Sequence, residues 1–255
     1  MRLNRFLSVC GVASRRSADE MIAEGRVTVN NLLVTSLGTR IDPQHDRVFV
    51  DGQQVTLVHE LQYLVLNKPK DTITTLKDER GRNTVMDLIT VRQRVYPVGR
   101  LDRKTTGVLL LTNDGDFANR LMHPRFRVPK SYRVRCATAV SREDLSKLRS
   151  GIQLTDGVTE PAKAVLLPGG KGKEIGITIY EGRNKQVRRM FEALGYEVKG
   201  LDRVAYGPVT YEGLPRGAFR KLRPNEIRML EELAGAANDP QGEKPPSQSN
   251  RRRKR

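Results

Sequence analysis

The chain is poor in metal-binding and redox-active side chains. Its two cysteines, Cys10 and Cys136, and its three histidines, His45, His59 and His123, are scattered. Neither set has the short spacing of a zinc or iron–sulfur site, so no bound metal is expected. Two cysteines make no disulfide framework, which suits a reducing cytoplasmic compartment. No stretch approaches the ~20 apolar residues that cross a bilayer. The opening MRLNRFLSVCG is too interrupted by polar residues to be a signal peptide. A cytoplasmic protein with no membrane partner is expected.

Familiar catalytic signatures are missing too. GGKGKE, residues 169–174, lacks the spacing and the hydroxyl of a phosphate-binding loop and reads as a turn. There is no Gly-x-Ser-x-Gly elbow, no His-Glu-x-x-His and no glycine fingerprint after a strand. An enzyme built from this chain is expected to work without cofactor or metal.

What the chain has is positive charge. The net charge is +17. Residues 231–255 account for +2 of it and residues 1–58 for +1, which leaves +14 on residues 59–230. The terminal RRRKR is therefore not the source of the bias. A folded domain this basic is matched to a polyanion, nucleic acid being the commonest.

The apolar pattern predicts an α+β fold with a small N-terminal module. Leu3, Phe6, Leu7 and Cys10 recur at helical spacing and stop at Gly11. SRRSADEMIAEG predicts a second helix, with Ser17 and Glu20 spaced as a capping box and Gly25 closing it. RVTVN and RVFVDGQQV read as short strands. Arg2, Arg5, Arg15 and Arg16, at the starts of the two helices, would share one surface. From residue 59 the reading changes. LQYLVLNKPKD, GVLLLTND, KSYRVRCATAV, KAVLLPGG and EIGITIYEG read as strands, with helices in SREDLSKLRSG and NKQVRRMFEALG. Strands dominate and helices fall irregularly among them, which predicts a mostly antiparallel sheet. Residues 234–255, rich in small, polar and charged residues, read as a disordered basic tail. The expected divisions are 1–58, 59–233 and 234–255.

Two clusters can carry chemistry. In VGRLDRKTTGVLLLTNDG, Asp102 lies between Arg100 and Arg103. A carboxylate near opposite charge stays ionised, typically with a pKa lower by ~1–3 units, and suits a nucleophile or base. In EGRNKQVRRMF, Arg183, Lys185, Arg188 and Arg189 gather at a helix entry. Arg188 and Arg189 face about 100° apart, so one can turn to a buried acid and the other to phosphate. Tyr132 follows Lys130 by two residues, on one strand face, and offers a ring on which a base can stack.

In this order the motifs resemble a known family. Arg2-Leu3, Phe6-Leu7, Gly11, Ser14-Arg15-Arg16, Ile22, Gly25-Arg26-Val27 and Val29-Asn30 resemble the RNA-binding module of ribosomal protein S-four, the alpha-L motif. That module commonly has Asn-Gly where this chain has Asn30-Asn31, and asparagine also tolerates positive φ. LNKPKD, GRNTVMDL, VGRLDRKTTGVLLLTNDG, KSYRV, GIQLTDGVTEPAKA, EGRNKQVRRM and GLDRVAYGPV resemble the bacterial ribosomal RNA pseudouridine synthases of the RsuA/RluB type. DGDFANRLMHP draws the chain toward that group's large-subunit branch. The likeness spans about residues 1–230. It departs at Asp71, where the family commonly has glycine, and at Lys185, where histidine is frequent.

The resemblance implies that uridine in ribosomal RNA, 23S above all, is isomerised to pseudouridine without a cofactor. It implies Asp102 as the catalytic aspartate, Tyr132 as the tyrosine stacked on the base, Arg188 as the arginine paired with the aspartate and Leu201 as the aliphatic residue of the pocket floor. RNA contacts are expected from Arg2, Arg5, Arg15, Arg16 and Arg26, and from Arg100, Arg103, Lys130, Arg183, Lys185 and Arg189. Ribosomal RNA or a large-subunit assembly intermediate is the expected partner of a monomer. Two alternatives stand: a synthase acting on 16S or another RNA, and a non-catalytic RNA-binding assembly factor.

Overall fold

A computed structural model describes residues 1–57 and 60–235. The N-terminal module packs α1 (Leu3–Val9) and α2 (Arg15–Ala23) against four short strands, β1 (Val27–Val29), β2 (Leu32–Leu33), β3 (Val48–Val50) and β4 (Gln53–Val55). The strands pair antiparallel in the order β2-β1-β3-β4. Leu3, Phe6, Leu7, Ala18, Ile22, Val27 and Val48 form a core of their own. Asn30 and Asn31 both take positive φ, 51° and 65°, so the β1–β2 turn holds without glycine. The cap of α2 differs from expectation. Ser14, not Ser17, is the N-cap, and its hydroxyl accepts from the Ser17 amide at 3.1 Å. Two serines three apart can both satisfy the cap pattern, and Ser14 takes it because the helix begins at Arg15.

The larger unit contains β5 (Tyr63–Lys68), β6 (Tyr96–Pro97), β7 (Thr106–Thr112), α3 (Gly115–Met122), β8 (Lys130–Cys136), α4 (Arg142–Ser150), β9 (Gln153–Leu154), β10 (Gly157–Val158), β11 (Lys163–Leu166), β12 (Glu174–Ile179), α5 (Gln186–Ala193), β13 (Val198–Tyr206), β14 (Val209–Thr210), β15 (Phe219–Lys221) and α6 (Pro224–Gly235). Its main sheet runs β11-β12-β8-β13-β7-β5-β15, with β6 on β7 and β14 on β13. Only the β13–β7 pairing is parallel among these. The fold is α+β with a mostly antiparallel sheet.

Both faces of the central strands are covered, which is why β5 and β7 read as continuous apolar runs. Leu64, Leu66, Leu109 and Leu111 pack with Leu145 and Leu148 of α4 and Met190 and Phe191 of α5. On the other side Val65, Val108 and Leu110 meet Phe117 and Leu121 of α3 and Leu230 of α6. Each such buried leucine contributes about 1.5–3 kcal/mol. Ala234 is fully buried at the end of α6. Helix α6 runs to Gly235, two residues past the expected limit at 233. Residues 236–255 of the expected tail lie outside the described residues. No described helix is long and apolar enough to cross a membrane.

One close approach organises the sheet's centre. Gly107, at φ +104°, stands opposite Arg203, and a Cβ there would lie 2.2 Å from the Arg203 carbonyl oxygen. Glycine lets β7 and β13 meet side by side.

Candidate active site

A cavity of about 490 Å³ is lined on one side by residues 98–102 and Thr105, and on the other by Ile179 and residues 182–187. Its remaining wall is Met122, Lys130, Tyr132, Leu201, Arg203 and Tyr206. The size suits a single nucleoside-scale ligand.

Asp102 sits half-buried in the loop that enters β7, between Gly99 (φ +73°) and Thr105. The loop is held from beneath. Lys68, at the end of β5, is fully buried, and its Nζ donates to the carbonyls of Thr105 at 2.9 Å, Pro69 at 3.0 Å and Asp102 at 3.2 Å. Thr74 Oγ1 donates to the Leu101 carbonyl at 2.8 Å. The Asp71 amide donates to the Arg103 carbonyl at 2.9 Å. The Asp102 backbone is thereby fixed at three points around it. Burial pushes the Lys68 ammonium down to about 8, opposed by the Asp102 and Asp71 charges. Among the described residues no arginine pairs with Asp102. Arg103 turns to Asp71 at 3.2 Å, and Arg100 extends exposed at the rim.

The opposite wall is a turn built on Glu181. This buried carboxylate accepts from the Glu160 amide at 3.0 Å, Arg183 Nε at 2.9 Å and Gln186 Nε2 at 2.6 Å. Lys185, at φ +47°, ends the turn and starts α5. The first turn of α5 then presents Gln186 and Val187 to the cavity.

Tyr132 and Leu201 reach the cavity from β8 and β13, which pair so that Tyr132 faces Arg203 and Lys130 faces Tyr206. Tyr132 is 9% exposed, and that exposure opens into the cavity it lines. Asp102, Tyr132 and Leu201 thus meet at one cavity, although they lie in three separate motifs.

Arg188 does not join them. Its Nη1 donates to the Val198 carbonyl at 3.1 Å, and it is not among the lining residues. The reason is the rotation of α5, which buries Gln186, Val187, Met190 and Phe191. Arg188 and Arg189 are left on its flanks, so neither turns to a buried acid in the cavity. Arg189 pairs with Asp156 at 2.6 Å and also donates to Thr155. Arg183 likewise serves the protein, donating to the carbonyls of Gly157 at 3.0 Å and Val158 at 2.7 Å. Its guanidinium clamps β10 to the Glu181 turn. Arg5 pairs with Asp116 of α3 at 2.5 Å, and Arg26 with Asp51 at 2.6 Å. Of the basic residues expected to meet RNA, Arg2, Arg15, Arg16, Arg100 and Lys185 are exposed and make no ion pair among the described residues. Lys130 is buried on the cavity floor instead.

Sequence reasoning gave no role to Lys68, Thr105, Glu181 or Arg203. Lys68 and Glu181 lie inside quoted motifs, and each is a charged residue flanked by apolar strand, a signal of burial with a purpose. Arg203 in GLDRVAY carries the same signal.

A helix-pair module with exposed arginines, ahead of a strongly basic sheet domain whose cavity holds the Asp102 carboxylate, fits an enzyme acting on RNA. Residues 62–193 match the family model of the RNA pseudouridylate synthases, and residues 1–48 match the S4 domain. A relative from Bacillus subtilis named ribosomal large subunit pseudouridine synthase B is 46% identical, over 91% of this chain and 96% of its own length. One from Aquifex aeolicus, named only as an RNA pseudouridine synthase, is 42% identical over 92% and 95%. A solved pseudouridylate synthase superposes with a TM-score of 0.67 at 32% identity, covering 90% of this chain and 99% of its own. The chain belongs to the RNA pseudouridylate synthase family.

Proposed function

We propose that this protein isomerises a defined uridine of 23S ribosomal RNA to pseudouridine, as a cytoplasmic monomer. The observation that carries the reading is the meeting of Asp102, Tyr132 and Leu201 at one cavity of nucleoside size. The target uridine leaves its stack, at a cost of a few kcal/mol, and enters that cavity. Asp102 promotes cleavage of the C1′–N1 bond. Tyr132 supports the face of the ring and Leu201 packs its edge, and the freed uracil turns over within the cavity and rebonds through C5. Arg188 has no part in this set, because it is bonded to the β13 backbone. The N-terminal module, residues 1–58, anchors the RNA through phosphates, which position without specifying sequence. The unit from residue 59 through α6 performs the reaction.

The test uses purified protein and an unmodified 23S transcript, with carbodiimide labelling and primer extension. One strong stop is expected with the wild type and none with Asp102→Asn, whose RNA affinity should stay within about twofold. An Asn variant as active as the wild type would sink the role of Asp102. A stop on 16S transcript or on immature particles alone would reassign the substrate.

A further inference from the structure

The floor of the cavity holds two cations that have no ion-pair partner among the described residues. Arg203 is 4% exposed and Lys130 is 9% exposed. Arg203 Nε donates to the Val108 carbonyl at 2.7 Å, but its buried Nη2 has no partner. Lys130 makes no hydrogen bond or ion pair with protein among the described residues. Both lean on the ring of Tyr206, at 5.2 and 5.5 Å from its centroid. Glu160, whose charge favours the Lys130 ammonium, is itself paired with Arg127 at 2.8 Å, and the Arg203 charge disfavours that ammonium. The hydroxyl of Thr105, beside them in the cavity wall, is also buried without a partner. Buried charges are ordinarily paired, because an uncompensated one is strongly destabilising. A floor built this way lacks an anion.

Substrate brings two candidates, a backbone phosphate and the charge that develops on the base. Depth separates them. Phosphates remain with the RNA backbone at the rim, where Arg100 and Lys185 are exposed. Arg203 lies directly across from Tyr132 in the β8–β13 register, at the height of the stacked ring. Resting on the placement of the base against Tyr132, we propose that Arg203 and Lys130 are further catalytic residues, which hold the carbonyl oxygens of the uracil as it departs as an anion.

The chemistry balances within the substrate. When C1′–N1 breaks, the electron pair stays on N1 and spreads to O2 and O4. The ring then turns about its N3–C6 axis, which exchanges N1 with C5 and O2 with O4. Donors that held one carbonyl before the turn meet the other after it. C5 bonds to C1′, the C5 proton leaves, and N1 is protonated. Fixed donors aimed at developing charge are the strongest kind of electrostatic catalysis. The same floor rejects cytosine, whose C4 amino group would face the cations with its own hydrogens.

The test measures single-turnover rates for wild type, Lys130→Met and Arg203→Lys on RNA carrying uridine or 5-fluorouridine at the target. Conversion is followed as loss of the starting nucleoside from nuclease digests. Fluorine stabilises the departing anion, so it should relieve a defect in charge stabilisation. Each variant is expected to lose about 100-fold in rate on uridine, at least tenfold less on 5-fluorouridine, with RNA affinity within twofold. Full activity would overturn the proposal. So would equal losses on both substrates, or a loss wholly in affinity, which would assign the cations to phosphate. If Arg203→Lys fails to fold by thermal melting, Lys130→Met decides alone. A wild type that makes no pseudouridine would instead overturn the proposed function.

Discussion

Replacing Lys130 by methionine should make the protein more stable while slowing the reaction about 100-fold. Burial first, and then the Arg203 charge, push the Lys130 ammonium from 10.5 down to about 8, with Glu160 opposing. At about 1.4 kcal/mol per pH unit, that depression corresponds to about 3 kcal/mol. The sign follows from proton counts. Below pH 8 the ammonium is charged in both states, and the folded protein bears the full penalty. Between about 8 and 10.5 the unfolded chain holds a proton that the folded chain has shed, so stability rises with pH. Above 10.5 the penalty is gone. Methionine matches the length of the stem and leaves no orphaned hydrogen bond, because Lys130 makes none with protein. It forfeits the contact with Tyr206, worth about 0.5–2 kcal/mol. A net gain of about 1–2 kcal/mol at pH 7 remains, or roughly 2–8 °C in melting temperature for a unit this size. Calorimetry from pH 7 to 10.5 reads it, and Lys68 cancels because both proteins carry it. A variant less stable at pH 7, or a stability gap that stays flat with pH, would refute the reasoning.

Gly107→Ala places a methyl 2.2 Å from the Arg203 carbonyl oxygen at a φ that alanine resists. Urea unfolding should show a loss above about 4 kcal/mol, and a near-normal midpoint would contradict the close approach. Lys68→Met removes the ammonium that donates to the carbonyls of Pro69, Asp102 and Thr105 beneath the Asp102 loop. Turnover should fall more than tenfold with RNA affinity kept, and unchanged turnover would show that the loop holds its shape alone. Arg15 and Arg16 occupy the first turn of α2, which has no acidic residue to complement the helix dipole. Changing either to glutamate should stabilise the module by about 0.3–1 kcal/mol, weaken RNA binding and flatten its salt dependence by about one ion; a salt slope that does not change would remove these arginines from the interface.

The parts of the fold that were legible in the sequence are those where burial is simple. β5, β7, β8 and β12 announce themselves by apolar runs or strict alternation, and α4 and α5 by helical spacing closed with glycine. β13, the longest strand, shows neither pattern. Asp202 on it accepts from Thr106 at 2.6 Å, Tyr211 at 2.6 Å and Arg216 at 2.7 Å, so a polar network replaces the expected apolar residue. A bulge between Arg203 and Ala205 breaks its period as well. Motif order named Asp102, Tyr132 and Leu201, and only the fold shows that they line one cavity. Arg188 bonds to the Val198 carbonyl and makes no ion pair with Asp102, because the rotation of α5 is set by packing against the sheet and not by spacing within EGRNKQVRRM. Ion pairing was beyond reach too, since Arg5 finds its acid 111 residues away and Arg189 finds its own 33 residues away.

Pairing also separates the cations that hold the protein from those that serve its substrate. Arg183 and Arg189 have every reason to be where they are without RNA: both are part-buried, Arg183 meeting the Glu181 carboxylate and the Val158 carbonyl, and Arg189 the Asp156 carboxylate. Arg15 and Arg16 have the opposite standing, as two positive charges at the positive end of a helix dipole. Lys130 and Arg203 stand worse still, buried together against one tyrosine ring. A folded chain keeps such local conflicts where something outside it resolves them. On the proposed function, RNA phosphate resolves the first and the departing uracil the second. The unpaired cations would then mark two depths of one substrate, its backbone at the surface of α2 and its base on the floor beside Tyr132.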